Sequence, residues 1–219
     1  MTLRTRVLEA LGTVYDPELD EPITALGFVG SCVVSEAGDV DVRLRLPTPQ
    51  CAPNFAFLMA ADARAAVRRL PEARAVTVVL EDHYTGEEIN AAVCRGAQFG
   101  DAFPGETEGD LDGLRELFRR KALVAREGRL LARVRDPASA TLGQLSGPDA
   151  DRCRTLRRAL GLDASDDAPA FVKGDGTPVA ADEVARFRRL AGLTAISLET
   201  NGGICRDLLK ARYGEEVAA

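Results

Sequence analysis

The sequence predicts an α+β protein: an N-terminal two-layer α-β-β-α-β domain followed by a smaller, mostly helical α/β C-terminal domain. Three observations carry this reading. Apolar residues recur at helical spacing near 3–14 and 55–70, they alternate with charged ones at 40–46, and glycine, proline and acids punctuate 96–110. Leu3, Val7, Leu8, Leu11 and Val14 define an amphipathic first helix that ends near Tyr15, ahead of Pro17. Two strands follow, Val29 to Ser35 and Val40 to Leu46, joined by Glu36-Ala37-Gly38-Asp39, whose glycine suits a hairpin. In the second strand Val40, Val42, Leu44 and Leu46 make one face and Asp41, Arg43 and Arg45 the other. Pro47 and Pro49 stop it. Pro53 suits the first turn of a helix because its missing N–H would be unpaired there. Phe55, Leu58, Met59, Ala63, Ala66, Val67 and Leu70 then continue at helical spacing as far as Pro71, and Ala75 to Leu80 reads as a third strand. Helices on one face of a small sheet form a closed two-layer unit.

The domain boundaries expected are 1–96 for this unit, 97–110 for a linker, and 111–219 for the second domain. Within the latter, Leu111, Leu114, Leu117, Phe118 and Val124 mark a long helix, and Cys153, Leu156 and Leu160 another that ends at Gly161. The remainder reads as a short strand at Ala170 to Lys173, a helix at Asp182 to Leu190, a strand at Leu193 to Leu198 and a helix from Ile204 to Tyr213.

The 219 residues suffice for one large domain or two small ones, and 46% hydrophobic against 28% charged residues is the composition of an ordinary folded chain. A net charge of -6 repels phosphate backbones, so nucleic acid is not expected as a partner. Arg4, Arg6 and Glu9 interrupt the N-terminal stretch, and charges break every longer apolar run. Neither an export signal nor a membrane span is expected, and the expected location is the cytoplasm. Five scattered cysteines, Cys32, Cys51, Cys94, Cys153 and Cys205, contain no CxxC pair, which disfavours a disulfide framework or zinc ribbon.

Cys51 is the sharpest chemical feature. At a helix N-terminus a thiol faces unpaired N–H groups and the positive end of the dipole, which favours thiolate, a nucleophile and a soft metal ligand. The competing reading is a buried small hydrophobe. Asp16-Pro17-Glu18-Leu19-Asp20-Glu21-Pro22 gathers four carboxylates in a proline-stiffened loop, by itself a solvated turn. His83, the sole histidine, either adds a nitrogen ligand or is a polar group at a strand end. Cys205 follows Gly202-Gly203 in an expected strand-to-helix turn whose N–H groups would face an anion or thiolate, or else it packs inside. Cys32, Cys94 and Cys153 read as core. Arg119-Arg120-Lys121 and Arg186, Arg188 and Arg189 are solvated helix faces or a dock for an acidic client.

Taken together, Asp16-Pro17-Glu18-Leu19, Pro22-Ile23, Leu26-Gly27, Val29 and, after the hairpin, Thr48-Pro49 ahead of Cys51 resemble the iron-sulfur cluster assembly domain of the SufT and PaaD type. The resemblance covers about Leu3 to Leu80. Relatives usually carry proline directly after the cysteine, where this chain has Ala52, and commonly threonine where it has Pro47. The resemblance implies a transient metal or cluster site at Cys51, Asp16 and Glu18, supported by Thr48 and by Gly27 as a backbone hinge, with His83 and Cys205 as further candidates.

The resemblance further implies a maturation factor, not an enzyme, that helps assemble or deliver iron or an iron-sulfur cluster to client metalloproteins. Relatives of the PaaD type accompany multicomponent oxygenases, so an oxygenase subunit is the expected client. The alternative is an adaptor or chaperone that grips client and scaffold without handling metal. A thiol enzyme would have only His83 as base. Cys51 and Asp16 supply two ligands where closed sites normally need four. Binding is therefore expected to be transient, across a homodimer or with ligands borrowed from the client. The expected partners are client metalloproteins and iron-sulfur scaffold proteins.

Overall fold

The computed structural model describes residues 1–106 and 111–214. Its element order opens with α1 (Leu3–Leu11), β1 (Val29–Val34), β2 (Val40–Arg45), α2 (Pro53–Arg68) and β3 (Val76–Glu81), the α-β-β-α-β succession read from the sequence. β1 and β2 pair antiparallel, with Cys32 opposite Val42 and Val34 opposite Val40. β2 and β3 pair parallel, with Val42 opposite Val78 and Leu44 opposite Leu80. The parallel pair requires a crossover, which α2 supplies. Gly38 turns the hairpin at φ 85°, and a Cβ there would sit 2.5 Å from the Glu72 carbonyl oxygen, so only glycine fits.

One face of β2 buries Val40, Val42 and Leu44. On the opposite face Arg45 pairs with Glu81 at 2.7 Å and Arg43 with Asp41 at 2.7 Å. α2 is buried through Ala56, Phe57, Leu58, Ala60, Ala63 and Val67. Two further helices follow β3, α3 (Gly86–Arg95) and α4 (Phe99–Ala102). α4 stands within the stretch expected to be linker, fixed by Phe99, which is buried and edge-on to Phe57 with ring centroids 5.6 Å apart. The expected linker residues Thr107 to Asp110 lie outside the described residues. Cys94, expected in the core, is exposed, because α3 turns Ile89, Ala92 and Val93 inward instead. Cys32 and Cys153 are buried as expected.

α5 (Asp112–Leu131), α6 (Pro148–Ala159) and α7 (Val184–Tyr213) complete the chain, which is mixed α+β with a mostly helical C-terminal region. The sequence placed a strand at Leu193 to Leu198 and a turn at Gly202-Gly203, but α7 runs through both. Ala191, Ala195 and Leu198 are the buried residues there, and their spacing is helical. Leu193 and Ile196, which lengthen the apolar run that reads as a strand, point outward, 68% and 62% exposed. The expected strand at 170–173 reduces to an isolated bridge between Val172 and Pro178.

By their contacts, residues form two units. One is Met1–Asp112 together with the chain from Gly202 onward, and the other is Gly113–Asn201. The core of the second unit gathers Leu123, Leu131, Leu142, Cys153, Leu156, Phe171 and Phe187.

Candidate functional site

Two loops of the first unit carry the motif residues. The first is closed by a bridge between Tyr15 and Pro22 and by the Asp16 N–H donating to the Glu21 carbonyl at 2.9 Å. Buried Leu19 and Ile23 anchor it. Within it, Asp16 Oδ1 accepts from the N–H groups of Glu18 (2.8 Å) and Leu19 (2.9 Å), a turn that aspartate side chains form readily. Asp16 is itself buried. Burial pushes its carboxyl up to about 6, against the pull of those two N–H groups and assisted by the charges of Glu18 and Glu21.

The second loop carries Thr48 to Cys51. α2 begins at Pro53 with Ala52 as its N-cap, so Cys51 stands one residue outside the helix. The Cys51 N–H donates to the Thr48 carbonyl at 3.4 Å, and Thr48 Oγ1 lies 3.5 Å from Cys51 Sγ. The turn after β3 holds this loop from the side. His83 Nε2 is 2.7 Å from the Cys51 carbonyl oxygen, and the Tyr84 N–H donates to the Pro49 carbonyl at 3.1 Å. A carbonyl only accepts, so Nε2 carries the proton. Nδ1 is then the acceptor, and it receives the Thr85 N–H at 3.3 Å. With both ring nitrogens engaged, His83 positions the cysteine loop. Replacing His83 by alanine is expected to lower stability by about 1 kcal/mol, one hydrogen bond's worth, and to speed alkylation of Cys51 several-fold. An unchanged alkylation rate, read by peptide mapping, rejects this role.

The C-terminal part of α7 brings a second thiol. Cys205 is half-buried. Its thiol is pushed up to about 11, by burial first and then by the negative charges of Asp16, Cys51 and Glu18, while Arg206 pulls the other way. Asp16, Glu18, Cys51 and Cys205, all singled out from the sequence, therefore stand in one electrostatic neighbourhood. The Gly202-Gly203 N–H groups do not face an anion from a helix terminus, because they lie inside α7. Arg206, which no sequence signal marked, donates from Nη1 to Glu21 Oε2 at 2.6 Å. Gly27 turns the chain at φ 77° and, with Thr24, Leu26, Arg206 and Leu209, lines a cavity of about 390 Å³. Arg120, from the basic clusters, pairs with Glu116 at 2.6 Å, whereas Arg186, Arg188 and Arg189 are exposed.

Among the described residues no three histidine, cysteine or acidic side chains converge as a metal-holding group. Two thiols and a carboxylate are nevertheless donors of the type that iron and other thiophilic ions take. Among the described residues no helix is long and apolar enough to cross a membrane.

An uncharacterized protein of Methanocaldococcus jannaschii is 33% identical over 90 residues, which cover 41% of this chain and 93% of that protein. No solved structure matches. Residues 4–79, which contain both motif loops, match the model of a family described as iron-sulfur cluster assembly protein, and through this N-terminal part the chain belongs to that family, with its general role in iron-sulfur cluster assembly.

Proposed function

We propose that the chain is a maturation factor that takes up iron or an iron-sulfur cluster as cargo and passes it to a client metalloprotein, with an oxygenase subunit as the first candidate client. The working part is the expected assembly domain, residues 1–96. Cys51 supplies the soft ligand, Asp16 and Glu18 supply negative charge, and Thr48, His83 and Gly27 hold the two loops in shape. The supporting observation is that both motif loops lie within the matched residues 4–79, one holding the buried Asp16 carboxyl by two backbone N–H groups and the other carrying the half-buried Cys51 thiol beside Thr48. A ligand set short of four suits cargo that must leave again. Members of this family are generally accessory proteins, which accords with a role without catalysis.

Cys51→Ser preserves volume and removes the soft sulfur. When the variant is co-expressed with a cluster-carrying oxygenase subunit, the subunit should still be captured in a pull-down, while its iron content falls about tenfold or more. Full iron loading by Cys51→Ser would leave the adaptor reading in its place.

A further inference from the structure

We propose that Cys205, from the C-terminal part of α7 and outside the matched family region, joins Cys51 as the second thiol of a two-thiol site for a thiophilic divalent cation. This inference rests on the reading of Cys51 as a cargo ligand and adds a residue that the two motif loops do not contain.

The geometry begins with how α7 is fastened to the first unit. At one end, Gly202 approaches the Asp16 loop so closely that a Cβ there would lie 2.5 Å from Glu21 Oε1. One turn later Arg206 grips the other oxygen of the same carboxylate at 2.6 Å. About 9 Å further along the helix, Arg212 donates from Nη1 to the Leu46 carbonyl at 3.2 Å and from Nη2 to the Asp82 carbonyl at 2.8 Å. Tyr213 adds a hydrogen bond from its hydroxyl to Asp82 Oδ2 at 3.1 Å, and the Arg45 guanidinium stacks over its ring. Leu46 leads straight into the cysteine loop, and Asp82 into His83, whose ring holds the Cys51 carbonyl. Cys205 thus lies on a helix pinned at one end to the aspartate loop and at the other to the supports of the cysteine loop.

The charges around it state which ligand fits. The half-buried Cys205 thiol lies on the stretch of α7 packed against the acidic loop of Asp16, Glu18 and Glu21, and Arg206, the neighbouring cation, is already bonded to Glu21. Two thiols among carboxylates are stabilised by a bound cation, which neutralises them together and displaces their protons. Thiolate ligands select thiophilic ions over magnesium or calcium. The remaining coordination positions stay open for a donor or a client.

The test uses the reduced full-length protein and Co²⁺ as the probe, because thiolate ligands give sulfur-to-cobalt charge-transfer absorption. The native protein should develop this band, with affinity rising with pH as protons are released. Cys205→Ser and Cys51→Ser should each lose about half its intensity and bind about tenfold more weakly, and the double variant should lose the band. Independently of any substitution, Co²⁺ should protect both Cys51 and Cys205 of the native protein from alkylation. If Cys205→Ser keeps the full band and Cys205 is unprotected while Cys51→Ser loses it, the two-thiol site is overturned and the Cys51 reading stands. Binding without any sulfur-to-cobalt band overturns both.

Discussion

Glu127→Gln is expected to cost the second unit about 3–5 kcal/mol, the usual penalty for leaving a buried charge without its partner. Glu127 on α5 and Arg157 on α6 are 0% and 1% exposed and meet at 2.8 Å. Glu127 Oε2 also accepts the Val172 N–H at 2.9 Å. Arg157 donates to the carbonyls of Pro169 and Ala170, each at 2.8 Å. The pair therefore ties two helices to the segment around Phe171, where no sheet organises the chain among the described residues. Burial pushes the Glu127 carboxyl up against the pull of Arg157, so the ionised pair is held at a cost. Glutamine keeps the shape but leaves the guanidinium uncompensated. The paired replacement Glu127→Leu with Arg157→Met removes both charges and is expected to be neutral or stabilising by about 1–4 kcal/mol. Urea unfolding followed by circular dichroism distinguishes the two. Equal losses in both variants would show that the hydrogen bonds, not the charges, hold this core.

The first unit was legible because its signals are local. The alternation of Val40, Val42 and Leu44, the proline at the start of α2 and the glycine in the hairpin each act within a few residues, and the elements fall within a few residues of their expected ends. α3 is not among the elements expected from the sequence, although it carries local signals, with Glu87 and Glu88 in its first turn, Arg95 in its last and Gly96 at φ 69° beyond it. The C-terminal half departs from its expected elements at Leu193 and Gly202 for a different reason. Outward-pointing Leu193 and Ile196 imitate a strand, and two adjacent glycines imitate a turn unless one sees that Gly202 is small because Glu21 lies against it. The site divides in the same way. Asp16, Glu18, Thr48 and Cys51 stand in recognisable runs. His83 supports the Cys51 loop, and Arg206 fastens the C-terminal part of α7 to Glu21, through contacts between residues far apart in sequence, which no local pattern encodes.

Asp16→Asn is expected to make the protein more stable and less able to hand over iron. A carboxyl held at about 6 in the folded state, against 3.8 when free, binds more protons folded than unfolded across that interval. Native stability should therefore fall as pH rises from about 4 to about 6 and stay penalised above it, by up to about 3 kcal/mol. Asparagine retains an Oδ1 to accept from the Glu18 and Leu19 N–H groups, so the loop keeps its turn, and it removes the charge whose burial carries the penalty. The gain should be present at about pH 7.5 and vanish below about pH 4, where native Asp16 is protonated in both states. Urea midpoints of the two proteins at both pH values measure it. A variant less stable than the native chain at neutral pH would mean that the carboxylate is already compensated where it stands. A charge retained in a buried turn at the expense of stability is what a cation-handling site requires, so the stabilised variant should also load less iron into a co-expressed client, though more mildly than Cys51→Ser, because carboxylate contributes charge rather than softness.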